Sequence, residues 1–86
     1  MGKYLITYDI SDEKRVVRFA KKLEKLAMRL QYSVFYIECV KKELIEIECL
    51  IDEMINVEED DVRIYQIKDS VYTLGKAYEI DEIFLN

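Results

Sequence analysis

Hydrophobic and polar positions change period several times along this chain. Residues 3–8, Lys-Tyr-Leu-Ile-Thr-Tyr, are rich in aromatic and β-branched side chains and predict a strand. From Asp9 the period lengthens. Ser11 is a good N-cap, and Asp12 and Glu13 suit the positive end of a helix. Apolar residues follow at Val16, Phe19, Ala20, Leu23, Leu26, Ala27 and Leu30, three and four apart, which predicts an amphipathic helix over about 12–28. Residues 29–40 return to strand composition. With no Gly or Pro to mark a hairpin, one long strand and two strands bent sharply near Tyr32-Ser33 fit that stretch equally. A second helix is predicted over about 41–55, with Leu44, Ile47, Leu50, Ile51 and Met54 on one face and Glu43, Glu46, Asp52 and Glu53 on the others. Glu58-Glu59-Asp60-Asp61 reads as a charged turn before an alternating strand at 62–67. Lys68-Asp69 then turns the chain, 70–74 suits a short strand, Gly75 breaks it, and 77–85 is a tail of alternating apolar positions.

The order β-α-β-β-α-β predicts an α+β, ferredoxin-like sandwich with a short extra C-terminal strand, in one domain spanning 1–86. Both helices would cover one face of an antiparallel sheet. The other face is left bare in a chain of 86 residues, too short to bury a large core alone. A homodimer packed sheet to sheet is therefore expected.

Charge distribution changes this picture more than total charge does. The net charge of −5 argues against a nucleic-acid partner. Residues 14–42, however, carry nine bases against only Glu24 and Glu38, while residues 43–86 carry three bases against thirteen acids. A local basic patch binds phosphate despite an acidic total. The longest apolar runs are four residues or fewer, against the ~20 needed by a membrane span. Met1-Gly2-Lys3 leads straight into strand-like sequence, so no signal peptide and a cytoplasmic location are expected, with no membrane partner. Cys39 and Cys49 are outside any Cys-x-x-Cys pair and read as reduced, packed thiols. The chain has no histidine, which excludes Ser-His and Cys-His nucleophile pairs. Chemistry would fall to carboxylates, Tyr, Lys or Cys, or to a hard cation on oxygen ligands, Mg²⁺ or Mn²⁺.

Three constellations are candidates for function. Tyr8-Asp9-Ile10-Ser11 puts an acid at the end of the first strand, before a capped helix; it serves either as a metal ligand or as a local hydrogen-bonded turn. Lys14, Arg18, Lys21, Lys22, Lys25 and Arg29 recur at helical spacing opposite the apolar face, a ridge able to follow a phosphate backbone or simply a solvated surface. Gln31-Tyr32-Ser33-Val34-Phe35 is, by pattern alone, a strand with a polar start.

Taken together these segments resemble the CRISPR-associated family two proteins, the small partner of the CRISPR integrase. The resemblance rests on Tyr8-Asp9-Ile10-Ser11-Asp12 after a first strand and then a basic helix. It continues through Arg29-Leu30-Gln31-Tyr32-Ser33-Val34-Phe35, a helix, and Asp61-Val62-Arg63-Ile64-Tyr65. It implies a ferredoxin-like homodimer in which Asp9 of each subunit is the catalytic, metal-ligating residue for one shared Mg²⁺ (or Mn²⁺). It implies nucleic-acid contacts by Arg15, Arg18 and Arg29, with Lys14 and Lys22 alongside, and supporting places for Tyr8, Ser11, Ser33 and Phe35. The tail, about 68–86, would pair with the other subunit's sheet through 70–74. Where the family commonly has glycine, this chain has Ala27-Met28 and Tyr36-Ile37, which affects the local bends.

The expected function is CRISPR adaptation (spacer acquisition): a dimer that binds duplex DNA or RNA, bridges the CRISPR integrase and acts as a metal-dependent endonuclease. Alternatives are a ribonuclease toxin of the same fold and a purely non-catalytic adaptor. A small-molecule regulatory domain is disfavoured, because no Gly-rich ligand loop accompanies the basic helix.

Overall fold

A computed structural model describes residues 1–68. The element order is β1 (Gly2–Asp9), α1 (Glu13–Glu24), β2 (Met28–Gln31), β3 (Val34–Cys39), α2 (Lys41–Met54) and β4 (Asp61–Ile67). The strands form one antiparallel sheet in the order β2-β3-β1-β4. This is the predicted ferredoxin-like arrangement. The proposed strand at 70–74, Gly75 and the tail at 77–85 lie outside the described residues.

Alternation along the strands sorts their side chains onto two faces. Tyr4, Ile6 and Tyr8 of β1 and Phe35, Ile37 and Cys39 of β3 point into the core with Phe19, Ala20 and Leu23 of α1 and Ile47 and Ile51 of α2. Val62 and Ile64 of β4 pack against the same cluster. The opposite face aligns Met28, Tyr36, Leu5 and Tyr65 in one cross-strand row. Among the described residues both helices pack on the other side, so no element covers this row. Tyr36 is nonetheless buried, and its hydroxyl donates to Glu38 Oε2 at 3.3 Å. Burial, then the charge of Glu38, pushes the Tyr36 phenol up to about 12.

The first helix begins later and ends earlier than its pattern predicts. Asp12 is the N-cap, its Oδ2 accepting from the Arg15 backbone N–H at 2.8 Å. Ser11, expected in that role, is held elsewhere by Asp60. At the other end the chain leaves the helix after Glu24, where Leu26 N–H bonds back to Leu23 O at 2.9 Å. Leu26, expected on the buried stripe, is 46% exposed in consequence.

The stretch after the helix is two strands, not one. A two-residue turn at Tyr32 and Ser33 joins β2 to β3, and the register shifts between Arg29 and Gln31, so Leu30 is the extra residue of a bulge. Bulge and side-chain hydrogen bonds replace the turn glycine that this hairpin lacks. In α2, Glu43 Oε1 accepts from the Val40 backbone N–H at 3.0 Å, satisfying the helix start without a capping hydroxyl. Cys39 is buried as expected, but Cys49 is exposed on the outer side of α2. It stands two residues past Ile47, on the side of the helix turned away from the core. No described helix is long and apolar enough to cross a membrane.

Candidate functional site

The end of β1 gathers most of the residues singled out above. Tyr8 is a core residue: its ring meets Phe19 edge-on at 4.8 Å and stacks on Phe35 at 6.1 Å. The next residue of a strand points the other way. Asp9 is therefore exposed, and among the described residues nothing hydrogen-bonds or ion-pairs its carboxylate. Its partner across the sheet is Asp61, whose own carboxylate is engaged by Arg63 Nε at 3.0 Å. A shallow cleft of about 290 Å³ opens here, lined by Tyr8, Asp9, Ile10, Val16, Tyr32 and Ser33.

The turn beside the cleft is held by one carbonyl. Tyr32 O accepts from Tyr8 Oη at 3.0 Å and from Arg29 Nη2 and Nε at 2.7 and 3.3 Å. Arg29 also binds Glu24 Oε1 at 2.7 Å and lies 5.3 Å from the Tyr32 ring centroid and 5.4 Å from that of Phe35. Burial raises the Tyr8 phenol above its ordinary value, and the nearby Arg29 opposes that rise. Tyr8 therefore stays protonated and able to donate. The Tyr8 backbone N–H donates to Ser33 O at 3.2 Å, which places Ser33 against the strand end. Phe35 is fully buried and supports this corner from below.

Asp60 organises the other side. Its carboxylate accepts from Arg15 Nε and Nη2, from Ser11 N and Oγ, and from the Asn56 backbone N–H, at 2.7 to 3.3 Å. The Asp60 side chain is fully shielded from solvent and that of Arg15 is 17% exposed. The Arg15 hydrogen bonds, assisted by the backbone donors, hold the Asp60 carboxyl well below the usual carboxylate range. Nothing in the sequence marks this acid within its run of four; only the approach of Arg15, 45 residues earlier, selects it.

The structure thus divides the five basic residues named from the sequence. Arg15 is bound by Asp60, and Arg29 stands on β2, not on the helix, bound by Glu24 and the turn. Lys14, Arg18 and Lys22 are exposed, and among the described residues none of them has an ion-pair partner. Spaced i, i+4, i+8, they form one row along α1, with neighbours roughly 5–6 Å apart at Cβ. Sequence reasoning missed Asp60, Glu24 and the outward placement of the Tyr32 ring, which is 76% exposed.

Among the described residues no group of three or more acids or thiols could hold a metal ion. Asp9 fits Mg²⁺ or Mn²⁺ in its donor chemistry, a hard and unengaged oxygen ligand. One carboxylate by itself leaves most of the coordination sphere of such an ion to water or to other oxygen ligands.

Comparisons with known proteins agree with this fold. The model of the CRISPR-associated protein Cas2 family matches residues 1–73. A protein of Thermodesulfovibrio yellowstonii named CRISPR-associated endoribonuclease Cas2 is 40% identical over 81 residues, covering 92% of this chain and 89% of that one. A Synechocystis protein of the same name is 34% identical, covering 85% and 79%. Among solved structures, a hypothetical protein of Thermus thermophilus superposes with a TM-score of 0.82 at 29% identity, covering 88% of this chain and 93% of that one. Streptococcus pyogenes Cas2 superposes with a TM-score of 0.74 at 29% identity, covering 85% and 99%.

Proposed function

Because this chain belongs to the CRISPR-associated protein Cas2 family, we propose that it is a CRISPR adaptation (spacer acquisition) protein. In this reading it works as a homodimer that grips duplex nucleic acid and bridges the CRISPR integrase. Asp9 of each subunit holds one Mg²⁺ or Mn²⁺ for endonuclease chemistry. The observation that carries the reading is Asp9 itself: Asp12, Asp60 and Asp61, its acidic neighbours in space and sequence, are all engaged, and Asp9 is not.

The residues divide the work by chemistry. Lys14, Arg18 and Lys22 neutralise backbone phosphates, and their row fixes the direction of the strand on α1. Arg15 and Arg29 hold the two turns that flank Asp9, so they position the site without needing to touch the nucleic acid. A divalent cation at Asp9 supplies Lewis-acid charge neutralisation at a phosphodiester. Tyr8 orients the turn and keeps its proton throughout. The endoribonuclease names of the relatives support phosphodiester cleavage. The non-catalytic adaptor is the second reading, favoured by the absence of any further carboxylate, Lys or Cys among the described residues that line the Asp9 cleft.

One preparation tests both halves of the proposal. Sedimentation at micromolar concentration should give about twice the 10.3 kDa chain mass. RNA or DNA cleavage should appear with Mg²⁺ or Mn²⁺ and vanish with chelator. A monomer, or cleavage indifferent to chelator, overturns the shared-metal reading. A dimer that binds duplex and the integrase but never cleaves selects the adaptor.

A further inference from the structure

The Tyr32 ring is the feature that the proposal above leaves unused. It is 76% exposed, far more than any other aromatic side chain exposed among the described residues. Lone exposed apolar residues are ordinary on a protein surface. This one differs in how it is held. Its own carbonyl is fixed by three side-chain hydrogen bonds, from Tyr8 Oη and from two nitrogens of Arg29. The Arg29 guanidinium also lies 5.3 Å from the ring centroid. The backbone beneath the ring is thus clamped while the ring is turned to solvent.

Its position is as specific as its support. Tyr32 and Val16 line two clefts at once. One is the cleft of about 290 Å³ that contains Asp9. The other, of about 260 Å³, runs along α1 past Val17, Ala20 and Lys21. The ring therefore stands on the ridge between an unengaged carboxylate and the basic helix. The basic side chains beside the ring in that second cleft are Lys21 and Arg29, the latter paired with Glu24; an aromatic face next to such cations is the chemistry that binds a base by stacking while a cation meets the backbone. Bases inside a duplex have both faces covered by neighbours, so a protruding ring offers stacking to a base that is unpaired.

We propose that Tyr32 is a stacking platform for an unpaired nucleobase, holding a single-stranded or splayed stretch of nucleic acid beside Asp9. The inference rests on the nucleic-acid reading above and adds to it one residue, Tyr32, as the group that grips a base. The platform is preorganised, because Arg29 and Tyr8 have already ordered its backbone, and little conformational freedom is lost on binding. It also separates the two grips. Duplex is held by charge along α1, whereas the strand next to Asp9 is held by its base.

The test uses a short single-stranded RNA carrying one aminopurine and a blunt duplex of the same sequence, both in EDTA so that no strand is cut. The parent should quench aminopurine emission in the single strand. Tyr32→Ala should weaken single-strand binding roughly 5- to 150-fold, the range for one stacked base, and abolish the quenching. Tyr32→Phe and Tyr32→Trp should retain both. Stacking releases no counterions, so the slope of log affinity against log salt should be the same in all four proteins. Duplex affinity should change little. Equal single-strand affinity and equal emission in the parent and Tyr32→Ala would overturn the inference. So would a loss in Tyr32→Ala shared equally by single strand and duplex with a shallower salt slope, since Tyr32 would then be supporting the basic row. Should Tyr32→Ala fail to fold, Tyr32→Leu against Tyr32→Phe reads the same contrast. A parent that binds neither probe removes the nucleic-acid reading itself, a failure distinct from an unaltered Tyr32→Ala.

Discussion

Asp9 and Asp60 lie at the same end of the sheet and have opposite surroundings. Asp61, the residue after Asp60, is the cross-strand partner of Asp9. Asp60 is shielded and receives donors from three residues in two segments: Arg15 and Ser11 around the start of α1, and Asn56 after α2. Asp9 is exposed and receives none from the described residues. The bases repeat the contrast. Arg15 and Arg29 are consumed by intrachain pairs, whereas Lys14, Arg18 and Lys22 are not, among the described residues. A charge whose hydrogen-bonding capacity is filled by the fold stabilises the fold. A charge left open at a folded strand end or along a helix is available to a ligand.

Exchanging the two acids is the sharpest way to break that comparison. Asp9→Ala should reduce metal-dependent cleavage to background while leaving the unfolding free energy within about 0.5 kcal/mol, as for other exposed sites. Asp60→Ala should do the reverse at first order. It leaves the Arg15 guanidinium without its acceptor and frees Ser11 and Asn56, and its unfolding midpoint should fall below that of every other substitution at this end of the sheet. Cleavage that survives in folded Asp9→Ala, or an Asp60→Ala as stable as the parent, would erase the distinction.

The exposed bases come next in size. Replacing Lys14, Arg18 and Lys22 together by Glu should weaken duplex binding and reduce the steepness of log affinity against log salt by roughly 0.9 for each phosphate that is no longer neutralised. Asp9→Ala, measured without metal, should bind as the parent does or slightly tighter, because it removes a negative charge. An unchanged salt slope in the triple variant would mean that the row is only a solvated face.

The smallest effect is a pH dependence. Asp60 titrates well below an ordinary carboxylate in the folded chain because of Arg15 and the backbone donors. The unfolded chain therefore takes up this proton first as acid is added. The stabilisation is complete above the unfolded value, roughly pH 4, and is lost as pH falls from there toward the folded value. The difference in unfolding midpoint between the parent and Asp60→Asn should be constant near neutrality and shrink on acidification below that point. A difference that does not shrink would assign the stabilisation to packing and not to the charge.

What could be read from the chain and what could not follows from the range of the interactions. Hydrophobic period placed both helices, β1, β4 and the ferredoxin-like order. Those signals are repeated many times within each element and depend only on which positions face the core. The two blocks Tyr8-Asp9-Ile10-Ser11 and Gln31-Tyr32-Ser33-Val34-Phe35, together with a basic helix between them, were enough to indicate the family. The same local signals carried α1 too far, because Leu26 and Ala27 continue the apolar spacing past the point where the helix unwinds. They also left the hairpin open, since its turn is made by Arg29 and Tyr8 acting on a carbonyl and not by any turn residue.

By itself the sequence determined the layers, an acid at the end of β1 and the concentration of positive charge around α1. Tertiary structure alone decided which of those charges remain free. Lys14 and Arg15 are adjacent and nearly equivalent on paper, yet one faces solvent and the other meets an acid 45 residues away. The reason is geometric. A helix turns about 100° per residue, so neighbours in sequence face different surroundings, and what those surroundings contain is supplied by distant parts of the chain. No local pattern records that Asp60 would be carried to Arg15, or that Tyr32 would be turned outward between Asp9 and the basic helix.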